Sequence, residues 1–419
     1  MKFMHAADIH LDSPLRGLER YEGAPAAAIR GATRQALVNL TELCLTEAVD
    51  FLLIAGDLYD GDWKDYNTGL FLIQQMALLS RAGIRVFLIR GNHDAASQLT
   101  RHLRLPEGVC ELSTRQAETH FLEEFGVAIH GRGYPRRDVS DDLTDHYPEP
   151  VLDCFNIGLL HTAVDGRRGH DPYAPCSVAR LQNKGYQYWA LGHVHQREVL
   201  CSDPWIVFPG NLQGRHARET GPKGASLVTV SDGEVMSVEH RSLDTVRWDR
   251  CQVDCTEATS GFDVIDLAQA ALANTATKAE DHLMAVRVDM VGTSRAHSQL
   301  SINPEHWTNQ IRATASALGG ELWVEKIRWQ TRAAIDLEAL LSHDDPAADL
   351  LRSLRQLRSN PMELNALLSH FGDLKHKLPP EYNQLDDTLD LNNPATLIGL
   401  LEDVEQLLIP RLLDAQEIK

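Results

Sequence analysis

The sequence predicts an α/β protein: a layered catalytic domain, then a small mixed unit, then a helical tail. Three observations predict this. Short apolar runs that end abruptly in Gly, Asp, Asn or His recur through the first 245 residues. Between the early runs lie stretches with apolar residues at three- and four-residue steps. From residue 336 onward strand patterns vanish and leucine-rich helical ones take over. A chain of 419 residues is long enough for two or three such units.

The elements follow in order. KFMHAADIH, DFLLIAGDLYD, RVFLIRGNHD, FNIGLLHTAVDG, YQYWALGHVH and WIVFPGN read as buried strands that spill into loops. Ala36, Leu37, Leu40, Leu43 and Cys44 mark one intervening helix. Leu70, Ile73, Met76, Ala77 and Leu79 mark a second. Strand–helix–strand alternation gives a layered α/β domain. ASLVTVSDGEVMSVEHRSL reads as a hairpin with a Ser-Asp-Gly turn closing the edge of this domain, taken as residues 1–245. Residues 246–335 form a small βαβ-like module: MAVRVDMVG and ELWVEKIRWQ alternate as strands, and PEHWTNQIRATASALGG is a helix stopped by glycines. Residues 336–419 carry the helical stretches LEALL, DLLRSLRQLR and PMELNALLSHF. KLPPEYNQ and DLNNP interrupt before LIGLLEDVEQLLIPRLL, and little in the tail is expected to bury its leucines locally.

Composition narrows the function. Lys+Arg 40 against Asp+Glu 59 gives a net charge of −19, which argues against coating a polyanion by bulk attraction. The tail alone holds 7 basic and 16 acidic residues. No run approaches the roughly 18–20 apolar residues of a membrane span. MKFMHAADIH lacks the apolar core of a signal peptide. The seven cysteines are scattered without a CxxC pair, as expected of reduced thiols in the cytoplasm.

Ligands of open α/β sheets lie beyond the carboxyl ends of strands. The tips here offer Asp8 and His10, Asp57, Asn92 and His93, His161, then His193 and His195. Carboxylate, imidazole and amide without thiolate suit Mn²⁺, Fe²⁺ or Zn²⁺ rather than a structural cysteine site. Such a donor set can hold two ions about 3.5–4 Å apart for phosphoryl chemistry.

In order, D-x-H, G-D-x-x-D, G-N-H-D, a lone His and G-H-x-H resemble the motifs of the calcineurin-like metallophosphoesterases, through residues 3–213. MKFMHAADIHLDSPLRGL, LIAGDLYDGDW, FLIRGNHDAAS, LLHTAVDG, HDPYAPCS and YWALGHVHQREV resemble the bacterial YhaO branch of the SbcD-type DNA repair exonucleases. The resemblance implies a layered sandwich of two sheets flanked by helices, with a small α+β capping domain and a helical partner-binding region. It implies that Asp8, His10 and His195 hold one ion, that Asn92, His161 and His193 hold a second, and that Asp57 bridges them. It gives His93 the role of protonating the leaving oxygen, oriented by Asp94. Asp60 stands where the archaeal and eukaryotic branch commonly has a histidine that helps place DNA. The cofactor implied is a pair of divalent ions, foremost Mn²⁺.

Within residues 1–245 arginine outnumbers lysine 20 to 4. Arg132, Arg136 and Arg137, then Arg167 and Arg168, then Arg215 and Arg218 follow strand tips, and Arg215 and Arg218 are the expected phosphate contacts with Asp60. The implied activity is a metal-dependent 3′-to-5′ DNA exonuclease with endonuclease activity. A cyclic-nucleotide phosphodiesterase or nucleotidase on the same fold is the alternative, and the residues after the catalytic domain argue against it. A catalytically dead scaffold is disfavoured because the metal and acid positions are all filled. The resemblance also implies homodimerisation and docking of the tail on an SMC-like ABC ATPase of SbcC or YhaN type. The chain itself has no GxxxxGK[ST] motif.

Overall fold

The computed structural model describes residues 1–13, 25–60, 66–96, 104–165, 174–319, 321–370 and 394–417. The expected tip loop with Arg167 and Arg168 and the KLPPEYNQ and DLNNP interruptions lie outside or largely outside these residues.

The first sheet is built from β1 (Lys2–Ala6), β2 (Phe51–Ile54), β3 (Arg85–Leu88) and β4 (Val109–Glu111), all parallel. Helices α1 (Ala26–Thr46) and α2 (Tyr66–Arg81) carry the chain from one strand to the next. The second sheet holds β6 (Val127–Gly131), β7 (Phe155–His161), β8 (Tyr188–Gly192) and β10 (Trp205–Phe208), again parallel, with β5 (Glu118–Leu122) and β9 (Glu198–Ser202) as antiparallel edges. The hairpin β11 (Gly224–Ser231) and β12 (Glu234–Ser242) then rejoins the first sheet beside β1. Asp232 and Gly233 both adopt positive φ at its turn, as the Ser-Asp-Gly signal predicts. Each sheet therefore has six strands, and the expected two-sheet architecture is present.

Strand side chains alternate between two apolar surroundings, which is why these runs look continuously hydrophobic. Phe3, Phe51, Leu53 and Phe87 face Ile129, Ile157, Tyr188 and Val207 between the sheets. Met4, Leu52, Ile54 and Leu88 pack instead on Leu37, Leu40, Leu72 and Met76 of α1 and α2. On the outer face of the second sheet, Trp189, Leu191 and Phe208 pack with Leu181 of α4 (Val178–Asn183). His5 is polar yet wholly buried; Tyr188 Oη and Leu191 O lie 3.0 and 3.1 Å from its ring nitrogens. Burial holds its pKa down to about 3, so it is a neutral structural histidine.

The expected stripe on α2 needs one correction. Leu70 is 54% exposed, and the helix buries Leu72, Met76 and Leu79. Met76 and Leu79 belong to the expected set, and Leu72 completes the buried face in place of Leu70. The motif pattern does not single out β4, β5 or β6, because they carry none of the candidate-ligand tips.

Strands β13 (Val246–Asp254), β14 (Leu283–Ser294) and β15 (Leu322–Ala333) make a three-stranded sheet. The small module also contains α5 (Gly261–Ala276), α6 (His297–Ile302) and α7 (Pro304–Ala317). Helix α5 is an addition to the expected set. Its start is a reciprocal cap: Thr259 and Ser260 N–H groups donate to Asp263, whose own N–H donates to Ser260 Oγ. Residues Met1–Arg250, Ala276–Arg287 and Gly320–Glu325 form one compact unit; Cys251–Thr275, Val288–Gly319 and Lys326–Lys419 form the other.

The tail leucines do find local burial, contrary to expectation. Helix α8 (Leu337–Leu341), α9 (Pro346–Ser359), α10 (Pro361–His370) and α11 (Pro394–Glu417) share two apolar clusters. Leu340 and Leu351 meet Ile409 in one; Leu354 and Leu364 meet Leu397 and Leu401 in the other. Partners distant in sequence supply the burial that periodicity within one segment could not reveal. Among the described residues, no helix is long and apolar enough to cross a membrane.

Leu72→Ala should cost about 2–5 kcal/mol of unfolding free energy, and Leu70→Ala under about 0.5. Urea denaturation of the two variants checks this; equal losses would contradict the corrected α2 face.

Candidate metal centre

Parallel strands of both sheets end at one edge, so their carboxyl tips converge. Asp8 and His10 follow β1, Asp57 follows β2, and Asn92 opens α3 (Asn92–Ala96) after β3. His161 is the last residue of β7, while His193 and His195 follow β8. The sheets touch here through polar backbone contacts. His193 N–H donates to both oxygens of Asp8 at 3.1 and 3.0 Å. His161 Nδ1 donates to Ala55 O at 2.8 Å.

The backbone accepts strain to aim these side chains. Asp8, His10, Asp57 and His193 all have positive φ, at 51°, 45°, 53° and 103°. Asp and His tolerate this region better than most non-glycine residues, and such clusters mark functional sites. The motif glycines allow the close approach. A Cβ at Gly91 would lie 2.1 Å from Asp57 Oδ1, and one at Gly192 would lie 1.9 Å from Ala55 O.

The donor chemistry fits divalent cations. Ligand atoms of Asp8, His10 and His195 lie within 4.8 Å of one another, as do those of Asp8, Asp57 and His161 and those of His10, Asp60 and His93. His10 Nε2 and His195 Nε2 are 3.2 Å apart. His195 Nδ1 is 2.6 Å from Glu219 Oε1, so its proton belongs on Nδ1 and Nε2 presents a lone pair. The bond to Ala55 O fixes His161 in the same way, and its Nε2 faces Asn92 Oδ1 at 3.0 Å and Asp57 Oδ2 at 3.5 Å. Asp57 Oδ2 is also 3.9 Å from His10 Nε2, between the His10 and His161 groups. Lone pairs and carboxylates that converge in a buried space need a cation to hold them there.

The proton affinities agree. Burial pushes His161 down to about 3, His10 well below its ordinary value, and His195 down as well, so all three are neutral and ready to ligate. Burial and the Asp57 charge push Asp8 well up, and burial also raises Asp57. Two carboxylates this close cannot both ionise cheaply without a positive charge beside them.

Comparison with known proteins decides the family. The model of the calcineurin-like phosphoesterases matches residues 1–197, and that of the middle domain of metallophosphoesterase YhaO matches residues 248–332. An uncharacterized metallophosphoesterase YhaO from Bacillus subtilis (strain 168) is 37% identical over 273 residues, or 64% of this chain and 67% of that one. The chain belongs to the calcineurin-like metallophosphoesterases. Among solved structures, TT1561 of Thermus thermophilus is 16% identical with a TM-score of 0.35, covering 58% of this chain and 98% of its own. A dimetal phosphatase from Danio rerio is 13% identical with a TM-score of 0.35, covering 57% of this chain and 99% of its own.

For this metallophosphoesterase the assignment of Asp94 as the partner of His93 needs correction. Asp94 accepts backbone N–H groups from Leu58, Tyr59 and Gly91 at 3.2, 3.0 and 3.0 Å, tying the β2 and β3 tips together. Its burial, with the Asp57 charge, lifts its pKa to about 7. The carboxylate at His93 Nδ1 is Asp60, at 2.8 Å. Asp60 also accepts from Ser13 Oγ at 2.5 Å and lies 3.5 Å from Arg215 Nη1. These contacts make it an orienting group for His93, a role that its expected place among the substrate-binding residues did not include. Arg215 is held between Asp60 and Glu219, 3.2 Å from the latter, with its side chain mostly buried. Arg218 is exposed, and Arg136 and Arg137 are exposed beyond β6 at the same edge, with Arg132 half-buried. Sequence reasoning missed Glu219. It lies in an irregular loop, and its only signal was the charged stretch RHARE, a few residues after the FPGN tip.

Burial alone would lower the His93 pKa, but the Asp60 hydrogen bond and the Asp57 and Asp60 charges outweigh it and raise the value. His93 therefore keeps its proton to a higher pH than an ordinary imidazole does. In metal-free protein, NMR titration of the imidazole should show this, and Asp60→Asn should move the transition to lower pH. An unchanged transition in Asp60→Asn would contradict the pairing.

Proposed function

We propose that this metallophosphoesterase is a two-metal-dependent DNA phosphodiesterase, a 3′-to-5′ exonuclease with endonuclease activity in DNA repair. The observation that carries the chemical half of the reading is His93 beside the ligand cluster, with Nδ1 committed to Asp60. Protonated His93 then has Nε2–H to present to the reacting group. Divalent ions held by Asp8, His10, His195, Asp57, Asn92, His161 and His193, foremost Mn²⁺, would supply an activated water and neutralise charge on the phosphoryl oxygens. The chain's own residues do the remainder. His93 Nε2 delivers a proton to the leaving oxygen. Its backbone N–H is anchored on Asp57 Oδ1 at 2.9 Å, which fixes it relative to the ligands. The Arg215 guanidinium contributes forked donors to a phosphate beside the ligand cluster.

The DNA half rests on the YhaO and SbcD resemblance and on the arginine-rich rim. Exposed Arg136, Arg137 and Arg218 at the carboxyl edge suit a phosphate backbone without reading bases. The SMC-like ABC ATPase partner rests on the same resemblance. Tail residues left exposed after local packing, Met362 at 82% and Leu407 at 38%, suit a second helical surface. A homodimer through the catalytic domain belongs to the same reading.

With Mn²⁺ and end-labelled duplex DNA, the protein should release nucleotides from 3′ ends. His93→Ala should reduce that rate about 10²–10⁴-fold and keep its metal content. Intact duplex beside rapid hydrolysis of a nucleotide monoester would overturn the DNA reading, and metal loss in His93→Ala would overturn the role of His93.

A further inference from the structure

Glu219 is buried, 7% exposed, and its two oxygens are almost fully committed. Oε1 lies 2.6 Å from His195 Nδ1, 3.2 Å from Arg215 Nη2 and 3.6 Å from His216 Nε2. Oε2 accepts from Arg215 N at 2.7 Å and Asn211 Nδ2 at 3.0 Å. Asn211 forms a bridge with Ala7, next to Asp8, and its Nδ2 also donates to Gln213 O at 2.8 Å. The carboxylate is thus fixed from several sides before it meets His195. Close by, Gly214 approaches Glu219 O so tightly that a Cβ would lie 2.8 Å away, which folds the loop back on itself.

We infer that Glu219 is the positioning residue of the centre: one buried carboxylate that sets the tautomer and angle of the ligand His195 and, through its other contacts, the place of Arg215. Several alternatives would leave Glu219 with less to do. If it only neutralised Arg215, the imidazole contact would be superfluous, since Asp60 already stands 3.5 Å from that guanidinium. If it only closed the loop, an amide would serve equally, because the two Oε2 bonds come from neutral donors. At Oε1 an acceptor is required twice, by Nδ1 at 2.6 Å and by the Arg215 guanidinium at 3.2 Å, while Oε2 accepts as well, so both oxygens must be acceptors. A glutamine could place its amide nitrogen there only by turning the imidazole to the other tautomer, which would protonate Nε2 and remove its lone pair. A hydrogen-bonded carboxylate behind a ligating histidine also raises the basicity of the metal-facing nitrogen.

The inference rests on the reading of His195 as a ligand, so the test separates the two. Wild type, Glu219→Gln, Glu219→Asp and His195→Ala are titrated with Mn²⁺ alone, with free ion counted by electron paramagnetic resonance. His195→Ala should lose affinity at one site. Glu219→Gln should weaken that same site about 10–100-fold and leave the other unchanged, with Glu219→Asp recovering part of the loss. In the double variant Glu219→Gln/His195→Ala the glutamine should add nothing. Unchanged affinity in His195→Ala would overturn the ligand reading, and the inference with it. Loss in His195→Ala beside unchanged affinity in Glu219→Gln would overturn the inference alone. Should Glu219→Gln fail to fold, ¹⁵N NMR of the wild-type imidazole decides: a proton on Nδ1 supports the positioning role, and a proton on Nε2 overturns it.

Discussion

The structure depends on one electrostatic constraint: Asp8 and Asp57 are buried side by side, 1% and 2% exposed, at the junction of two sheets. Neither has a lysine or arginine as a direct partner among the described contacts; Arg215 acts on both from a distance. Around them the unprotonated faces of His161 and His195 point inward. Such a group of acceptors is unfavourable by itself and becomes favourable around divalent charge. The rest of the catalytic unit can be understood as the means of holding that group in place. Parallel strands bring the tips to one edge, the inter-sheet core fixes their spacing, and positive-φ residues turn the side chains inward.

That arrangement explains why the motifs contain the residues they do. Glycine precedes Asn92 and His193 because neighbouring strand tips approach too closely for a Cβ at Gly91 or Gly192. Asp94 is required for a reason different from the one its place beside His93 suggests. It gathers three backbone N–H groups and fastens two tip loops together. Asp60 takes the orienting role because it follows Asp57 by three residues, and the strand-to-loop turn returns it to the imidazole.

The sequence was legible where chemistry and pattern coincide. Every strand with a candidate ligand at its tip ended as expected, because a buried parallel strand has an unbroken apolar run and a polar end. It was less legible where burial comes from distant partners. The exposed Leu70 and the packed leucines of the tail both show this, since period alone gives spacing and no opposing surface. Glu219 was hidden for a related reason. Its role depends on a loop that folds back towards the β8 tip, and its contact with His195 spans 24 residues of chain, an offset that no periodic pattern marks. The pairing of His93 with Asp60 rather than Asp94 likewise required distances.

The net charge of −19 also has a more particular meaning. Part of it is the buried acid that divalent ions would offset, and much is in the tail, away from the strand tips in sequence. The most direct test of a divalent-ion pair is the number of Mn²⁺ ions retained per chain after loading and gel filtration, measured by elemental analysis of wild type beside Asp57→Asn. About two ions in the wild type and a loss at both sites in Asp57→Asn is the expected result. Fewer than about one ion in the wild type, or about two still held by Asp57→Asn, would contradict it.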